Sequence, residues 1–285
     1  MDVSVIIPTC NKINRLQLTL KSLYRQLNQT INTEVLVIND GSDDCFDIEF
    51  HKLHMQYGFR YYKQEKKGRA SARNKGIEYA LAELLVFIDD DVILAPEFIN
   101  THIQIQRSTP AVLHGAIKNF IYSYTFRDPL AGVPYDTVSE EKSTYMEYLK
   151  KKCQLLVDDN SYDSLLAQSK YLKLEKRIQS VFREKNYDKA WIAFTGGNLS
   201  CPKKWIEEVN GFDENFGLQW GCEDLELGYR LNKMNRHFAY NYEASCCHMD
   251  HRKENARIEH GNSINYFFDK YKDDMIYELD KYLFG

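Results

Sequence analysis

Three adjacent carboxylates, Asp89-Asp90-Asp91, directly follow the apolar run Leu84-Leu85-Val86-Phe87-Ile88. Like charges held side by side repel one another, so a fold that keeps them together gains from a cation or from hydrogen-bond donors. A hard divalent ion such as Mg²⁺ or Mn²⁺ takes oxygen ligands and completes its shell with substrate phosphates. The plainer reading is a solvated acidic turn. A second acidic pair, Glu223-Asp224, follows Trp220-Gly221-Cys222 and opens a helical segment. A carboxylate there can take a proton from an attacking hydroxyl, or merely favour the positive end of the helix. The third group is Cys246-Cys247-His248-Met249-Asp250-His251. Imidazole beside carboxylate suits Mn²⁺ somewhat better than Mg²⁺, whereas Cys-Cys-His lacks the spaced pairs of a structural zinc site.

The elements around these groups predict a parallel sheet. Residues 3–7 form a β-branched run closed by Pro8, and Thr9-Cys10-Asn11 follows as a loop. Ile13, Leu16, Leu20, Leu23 and Leu27 then recur at helical spacing. Residues 34–39 are a second buried strand, ended by the turn cluster Asp40-Gly41-Ser42-Asp43-Asp44, and residues 59–62 are a third. Residues 70–82 form a helix, and residues 84–88 a fourth strand. Alternating strands and helices imply right-handed βαβ units, whose ligands sit beyond the carboxyl ends of the strands. Three polar loops therefore converge on one rim. From residue 119 to 189 the character changes: Ser139-Glu140-Glu141 starts a helical stretch to Leu156, and another runs from about Tyr162 to Lys185. Thr195-Gly196-Gly197-Asn198 resumes loop chemistry, residues 222–231 are helical, and an aromatic, amphipathic tail helix spans residues 262–283. Its acidic polar face points to packing against its own domain or a partner rather than a membrane surface.

Four segments in order carry a resemblance: Ser4-Val5-Ile6-Ile7-Pro8-Thr9, Val37-Ile38-Asn39-Asp40-Gly41-Ser42, Gly68-Arg69-Ala70-Ser71-Ala72-Arg73-Asn74-Lys75-Gly76 and Phe87-Ile88-Asp89-Asp90-Asp91. Together they resemble family 2 glycosyltransferases of the GT-A fold. The resemblance implies that Pro8, Thr9 and Asp40 line the nucleotide base pocket and that Arg73 borders that pocket or the phosphates. Asp89 would meet the ribose or a metal-bound water, Asp90 would fall at the variable middle of a DxD motif, and Asp91 would ligate the metal.

Thr195-Gly196-Gly197-Asn198, Gly211-Phe212-Asp213-Glu214 and Trp220-Gly221-Cys222-Glu223-Asp224 look like the carboxyl-terminal catalytic segment of β-1,4-galactosyltransferases and polypeptide GalNAc-transferases. That likeness implies Asp224 as general base of an inverting transfer, with Glu223 binding acceptor or donor hydroxyls. Trp220 would stack on a sugar face or fill the core. A downstream histidine would complete the metal shell, His248 by best fit of spacing and His251 as the alternative. Cys222 replaces a glycine, which matters only where the backbone needs φ > 0.

Composition agrees with a globular enzyme. The 285 residues carry 37 Lys+Arg against 41 Asp+Glu, a formal charge of −4 that gives no reason to expect nucleic acid. Seven cysteines without regular spacing read as free thiols of a cytoplasmic chain, peripheral to a membrane at most. No apolar run approaches the ~18 residues of a membrane span. The expected whole is one α/β GT-A domain: a nucleotide-sugar half (1–118), a helical insertion (119–189), an acceptor half (190–261) and a C-terminal helix (262–285). Its donor would be UDP-linked, its acceptor a saccharide, peptide or lipid-linked hydroxyl. The rival is a non-catalytic sugar-binding protein on the same scaffold.

Overall fold

The computed structural model describes residues 1–27, 31–135, 143–158, 161–253 and 255–279. The chain starts with β1 (Val3–Thr9), α1 (Ile13–Tyr24), β2 (Thr33–Asp40), α2 (Asp44–Tyr57), β3 (Arg60–Gln64), α3 (Arg69–Tyr79) and β4 (Leu84–Ile88). It continues through β5 (Val92–Leu94), α4 (Phe98–Ser108), β6 (Val112–Phe120), a small β7 (Phe126–Asp128) and β8 (Val133–Pro134) ribbon, α5 (Ser143–Cys153), α6 (Tyr162–Ala167) and α7 (Lys173–Arg183). Then come β9 (Asn198–Pro202), α8 (Lys203–Glu208), α9 (Glu223–Lys233), β10 (Phe238–Met249) and α10 (Ala256–Tyr271).

The main sheet has the order β3-β2-β1-β4-β9-β6-β10-β5. Its first four strands are parallel, as the alternating pattern requires. Strand β9 runs antiparallel between β4 and β6, so the sheet becomes mixed at that point. Residues of β1 and β2 alternate between the two faces. Ile6, Leu36 and Ile38 pack into a core with α3, α7, α9 and α10. Val5, Ile7, Val35 and Val37 pack into another with α1, α2 and α4. Strands buried on both faces are apolar throughout, which is why these two were legible as continuous runs.

Several expectations shift. The helix expected to reach Ala82 stops at Tyr79, because Ala80 turns extended (ψ 130) to feed β4. Strands β9 and β10 take segments read as loop or left unassigned: Asn198 and Ser200 are polar yet fully buried, and β10 carries a register shift between Asn241 and Cys246. The stretch expected from Tyr162 to Lys185 is two helices, parted where Lys170 bridges Asn119. The expected helix start at Ser139-Glu140-Glu141 lies outside the described residues. The tail helix is α10, which begins and ends earlier than expected, followed by a 3-10 turn over Asp274–Leu279. Ile264 and Phe267 of α10 and Ile276 of that turn are buried in the chain's own core.

Residues 119–189 are not a detached module. Ile178 and Val181 of α7 are fully buried in the same core as Trp191 and Phe267, while Leu149, Cys153 and Leu165 build a smaller core against Phe120 and Met249. All six described cysteines are free, and Cys246 and Cys247 point into different cores. Among the described residues no helix is long and apolar enough to cross a membrane.

Candidate active site

The loops after β1, β2 and β4 do meet on one rim. Pro8, Thr9, Asp40, Asp89, Asp90 and Asp91 line a cavity of about 250 Å³, closed on its other side by Trp220, His248, His251 and Lys253. Asp40 accepts hydrogen bonds from the backbone N–H groups of Lys67 and Gly68, each at 2.9 Å, and from Gln64. It thereby shapes the loop that presents Arg69 to the cavity.

The three adjacent aspartates separate by environment. Asp89 is half-exposed, while Asp90 and Asp91 are buried. Asp90 accepts from the Thr9 hydroxyl at 2.7 Å, and the Lys12 ammonium lies 3.3 Å away. Burial pushes Asp90 up to about 6 despite that cation. Burial would raise Asp91 too, but Lys12 at 2.8 Å and the His248 imidazole hold it well below the ordinary carboxylate range. Lys12 was not singled out in the sequence, where a lone lysine in a loop has no pattern to mark it.

Asp91, His248 and His251 bring their ligand atoms within 4.8 Å of one another. His251 Nδ1 lies 2.8 Å from the Arg252 carbonyl oxygen, which can only accept, so Nδ1 carries the proton. Burial drives the His251 pKa down to about 4, so the ring is neutral and Nε2 presents a lone pair. That lone pair faces Asp91 Oδ2 at 3.0 Å. Two acceptors so close need a cation, and Lys12 Nζ, 3.1 Å from Nε2, supplies part of that charge. Asp91 Oδ1 is buried without a well-aligned hydrogen bond, 3.3 Å from His248 Nε2. A carboxylate and imidazole set with an orphaned buried oxygen fits a hard-to-borderline divalent ion. The His248 tautomer follows the orientation of the Asn119 amide, 3.1 Å from its Nδ1. His251, the alternative in the sequence, is thus the imidazole whose lone pair the backbone itself directs.

A second cavity, about 160 Å³, adjoins the first through Arg69, Asp89, Trp220, His248 and Lys253. Asp224 lines it, at the first turn of α9. Its two oxygens accept from Gly196 N at 3.0 Å and Leu225 N at 2.8 Å, which fixes the carboxylate's orientation. Burial and the adjacent Glu223 charge raise its pKa to about 6, against the Arg73 guanidinium and the two backbone N–H groups. Trp220 is half-buried between the cavities with Lys253 Nζ 4.6 Å from its ring centre, so it is a wall residue rather than core.

Two residues stand elsewhere than expected. Arg73, expected beside the base pocket or the phosphates, lines the second cavity and not the first: its side chain is 2% exposed and pairs with Glu223 at 2.9 Å and Asp89 at 3.2 Å. Glu223 lines neither cavity, because its carboxylate turns inward to that guanidinium. Cys222 also departs from expectation. With φ +70 it does need the left-handed conformation, directly after Gly221 at φ +90.

Comparison with known proteins bears out the resemblance. The profile described as glycosyl transferase family 2 matches residues 4–154, and one described as N-terminal domain of galactosyltransferase matches residues 176–252. Validoxylamine A glucosyltransferase of Streptomyces hygroscopicus subsp. jinggangensis is 30% identical over 232 residues, 81% of this chain and 51% of that protein. The chain therefore spans about half the length of that relative. TarS 1-349 of S. aureus, solved with UDP-GlcNAc, superposes with a TM-score of 0.55 at 15% identity, covering 89% of this chain and 59% of that one. A mannosyltransferase from Pyrobaculum calidifontis, solved with GDP-Man and Mn²⁺, superposes at 0.55 with 14% identity, covering 94% of this chain and 63% of that one. The fold is thus the GT-A arrangement, and the chain belongs to glycosyl transferase family 2.

Proposed function

We propose that the chain transfers a sugar from a nucleoside diphosphate donor, UDP-linked, to an acceptor hydroxyl with inversion at the anomeric carbon. The observation that carries this reading is the pair of adjoining cavities, one holding Asp91 with two imidazoles and the other holding Asp224 with a raised pKa. The first suits the donor. Lys12, Arg69 and Lys253 face an anionic diphosphate there, and Pro8, Thr9, Asp40, Asp89 and Asp90 form its nucleotide side. Asp91, His251 and His248 would hold Mn²⁺ or Mg²⁺, which when bound offsets charge on the departing diphosphate.

In the second cavity Asp224 takes the acceptor's hydroxyl proton as that oxygen attacks the anomeric carbon. The carbon–oxygen bond to the diphosphate breaks on the opposite face, and the leaving group departs with the electron pair. Trp220 stands where it can cover a sugar face. Leu174 of α7 lines this cavity and not the first, which supports a role for residues 119–189 in acceptor selection within a single catalytic domain.

The test is release of free nucleoside diphosphate from a panel of UDP- and GDP-sugars, with Mn²⁺ and with a chelator, and the product's anomeric configuration by NMR. Turnover of a UDP-sugar that needs metal, with an inverted product, is expected. Saturable donor binding with no diphosphate release under any acceptor would favour the non-catalytic binder. A retained configuration would overturn the single displacement.

A further inference from the structure

Glu223 and Arg73 lie 150 residues apart in sequence, on α9 and α3, and their buried side chains meet at 2.9 Å. Arg69 reaches the same Glu223 oxygen at 3.6 Å, and Arg73 Nη2 reaches Asp89 at 3.2 Å. Glu223 Oε2 and Arg73 Nε are buried without a hydrogen-bond partner among the described residues. No side chain fits between this pair and the loop above it: a Cβ on Gly196 would lie 2.1 Å from Arg73 Nη2. The same Gly196 gives its N–H to Asp224. One guanidinium therefore touches the donor-side Asp89, the glutamate next to Asp224, and the glycine that orients Asp224.

We propose that Arg73 and Glu223 are a positioning pair that aims Asp224 and sets its basicity, and that Glu223 binds no substrate hydroxyl. This rests on the reading of Asp224 as general base. A buried ion pair contributes little net stability compared with apolar residues of similar volume. Its local consequence is larger: it fixes a negative charge beside Asp224, and that charge makes Asp224 a better proton acceptor. The groups facing Asp224 are Glu223 on its own helix, Arg73 and Arg69 from α3, the N–H groups of Gly196 and Leu225, and Asp89, His248, Lys253 and His260 around the shared cavity. Among the charges, Glu223 acts most strongly to raise Asp224 and Arg73 to lower it.

The experiment is the pH profile of kcat/KM for the full chain with Mn²⁺. The wild-type acid limb is expected near pH 6. Glu223→Gln keeps the shape and a hydrogen bond to Arg73 but removes the charge, so the limb moves down by about one pH unit. Above the limb the rate falls, because the base is weaker, and donor Kd is unchanged. The double variant Arg73→Met/Glu223→Gln removes both charges and leaves no buried ion alone. Its limb lies below wild type but above that of Glu223→Gln, which keeps the test alive if the single variant fails to fold. Superimposable limbs, or an unmoved limb with a raised acceptor KM, would overturn the pair and restore a hydroxyl-binding glutamate. Full activity of Asp224→Asn would instead sink the base assignment itself, so the two failures are distinguishable.

Discussion

Asp91 and Asp224 are both carboxylates on the walls of adjoining cavities, yet their surroundings drive them in opposite directions. Asp91 follows β4 and faces the Lys12 ammonium and the His248 imidazole, which hold it well below the ordinary carboxylate range. Asp224 opens α9 beside a second carboxylate in a desolvated site, which leaves it poised near pH 6. A permanently charged group suits binding a cation. A group whose pKa lies close to neutrality suits taking and releasing a proton. On the proposed reading the same side chain would do two jobs, and its neighbours would decide which one.

The strongest way to break that division is Asp224→Asn. The amide keeps the shape but only one of the two backbone hydrogen bonds, since its nitrogen donates and cannot accept, and it loses the proton acceptor. Single-turnover measurements should show kcat down by roughly 10²–10⁴-fold, the usual worth of a general base. Donor Kd should stay where it was, because Asp224 lines only the second cavity. A variant with near-normal kcat would demote Asp224 to a helix-start residue.

Asp91→Ala attacks the other centre. It should mimic a chelator and weaken Mn²⁺-dependent donor binding by about 10- to 100-fold, read by thermal shift, since bound donor raises stability by mass action. His251→Ala should follow, and His248→Ala should cost least, because only His251 has its lone pair directed by a backbone carbonyl. Donor binding by Asp91→Ala that is indifferent to metal would remove the metal assignment. Strong donor loss in Asp224→Asn would mean that the two centres are one.

How far these centres were legible depends on what carries each. Asp89 to Asp91 and Asp224 announced themselves because acidic residues after a buried strand or before a helix are local patterns. So did β1, β2 and β4. The Arg73–Glu223 pair could not be seen, since nothing within either segment shows that they meet. Lys12 and Lys253 are single residues in loops, and only the tertiary approach of β1, β4 and β10 gives them a role. Strand β10 was hidden by its Asn, Glu and Ser residues and by a register shift, although two of the three candidate metal ligands lie at or just beyond its end.

Leu174 sharpens the comparison at smaller scale. It touches the cavity of Asp224 and not that of Asp91. Leu174→Ala should therefore raise acceptor KM by roughly 5- to 30-fold, in proportion to about 1–2 kcal/mol of apolar contact, and leave donor Kd intact. An equal loss of donor affinity would place residues 119–189 against the nucleotide and undo the assignment of the two cavities.

The smallest expected effect lies at Cys222, where the backbone rather than a charge separates the centres. Gly221 and Cys222 both hold positive φ, and this double turn brings Glu223 and Asp224 into the first turn of α9. The Asp91 cluster depends on β4 and β10 and should not feel it. A non-glycine residue in the left-handed region costs roughly 1–2 kcal/mol, but the Cys222 side chain is 1% exposed and packs in the core. Cys222→Gly relieves the first cost and forfeits the second gain, so stability should change by no more than about 1 kcal/mol. Cys222→Val keeps the packing but forces a β-branched side chain into the same conformation, and its melting temperature should fall clearly below that of Cys222→Gly. Its kcat should drop with it, while Mn²⁺-dependent donor binding by the folded fraction stays normal. If valine melts like the wild type, the turn into α9 does not need the left-handed region. If donor binding falls as far as kcat, strain at Cys222 reaches Asp91, and the two carboxylates are not independently supported.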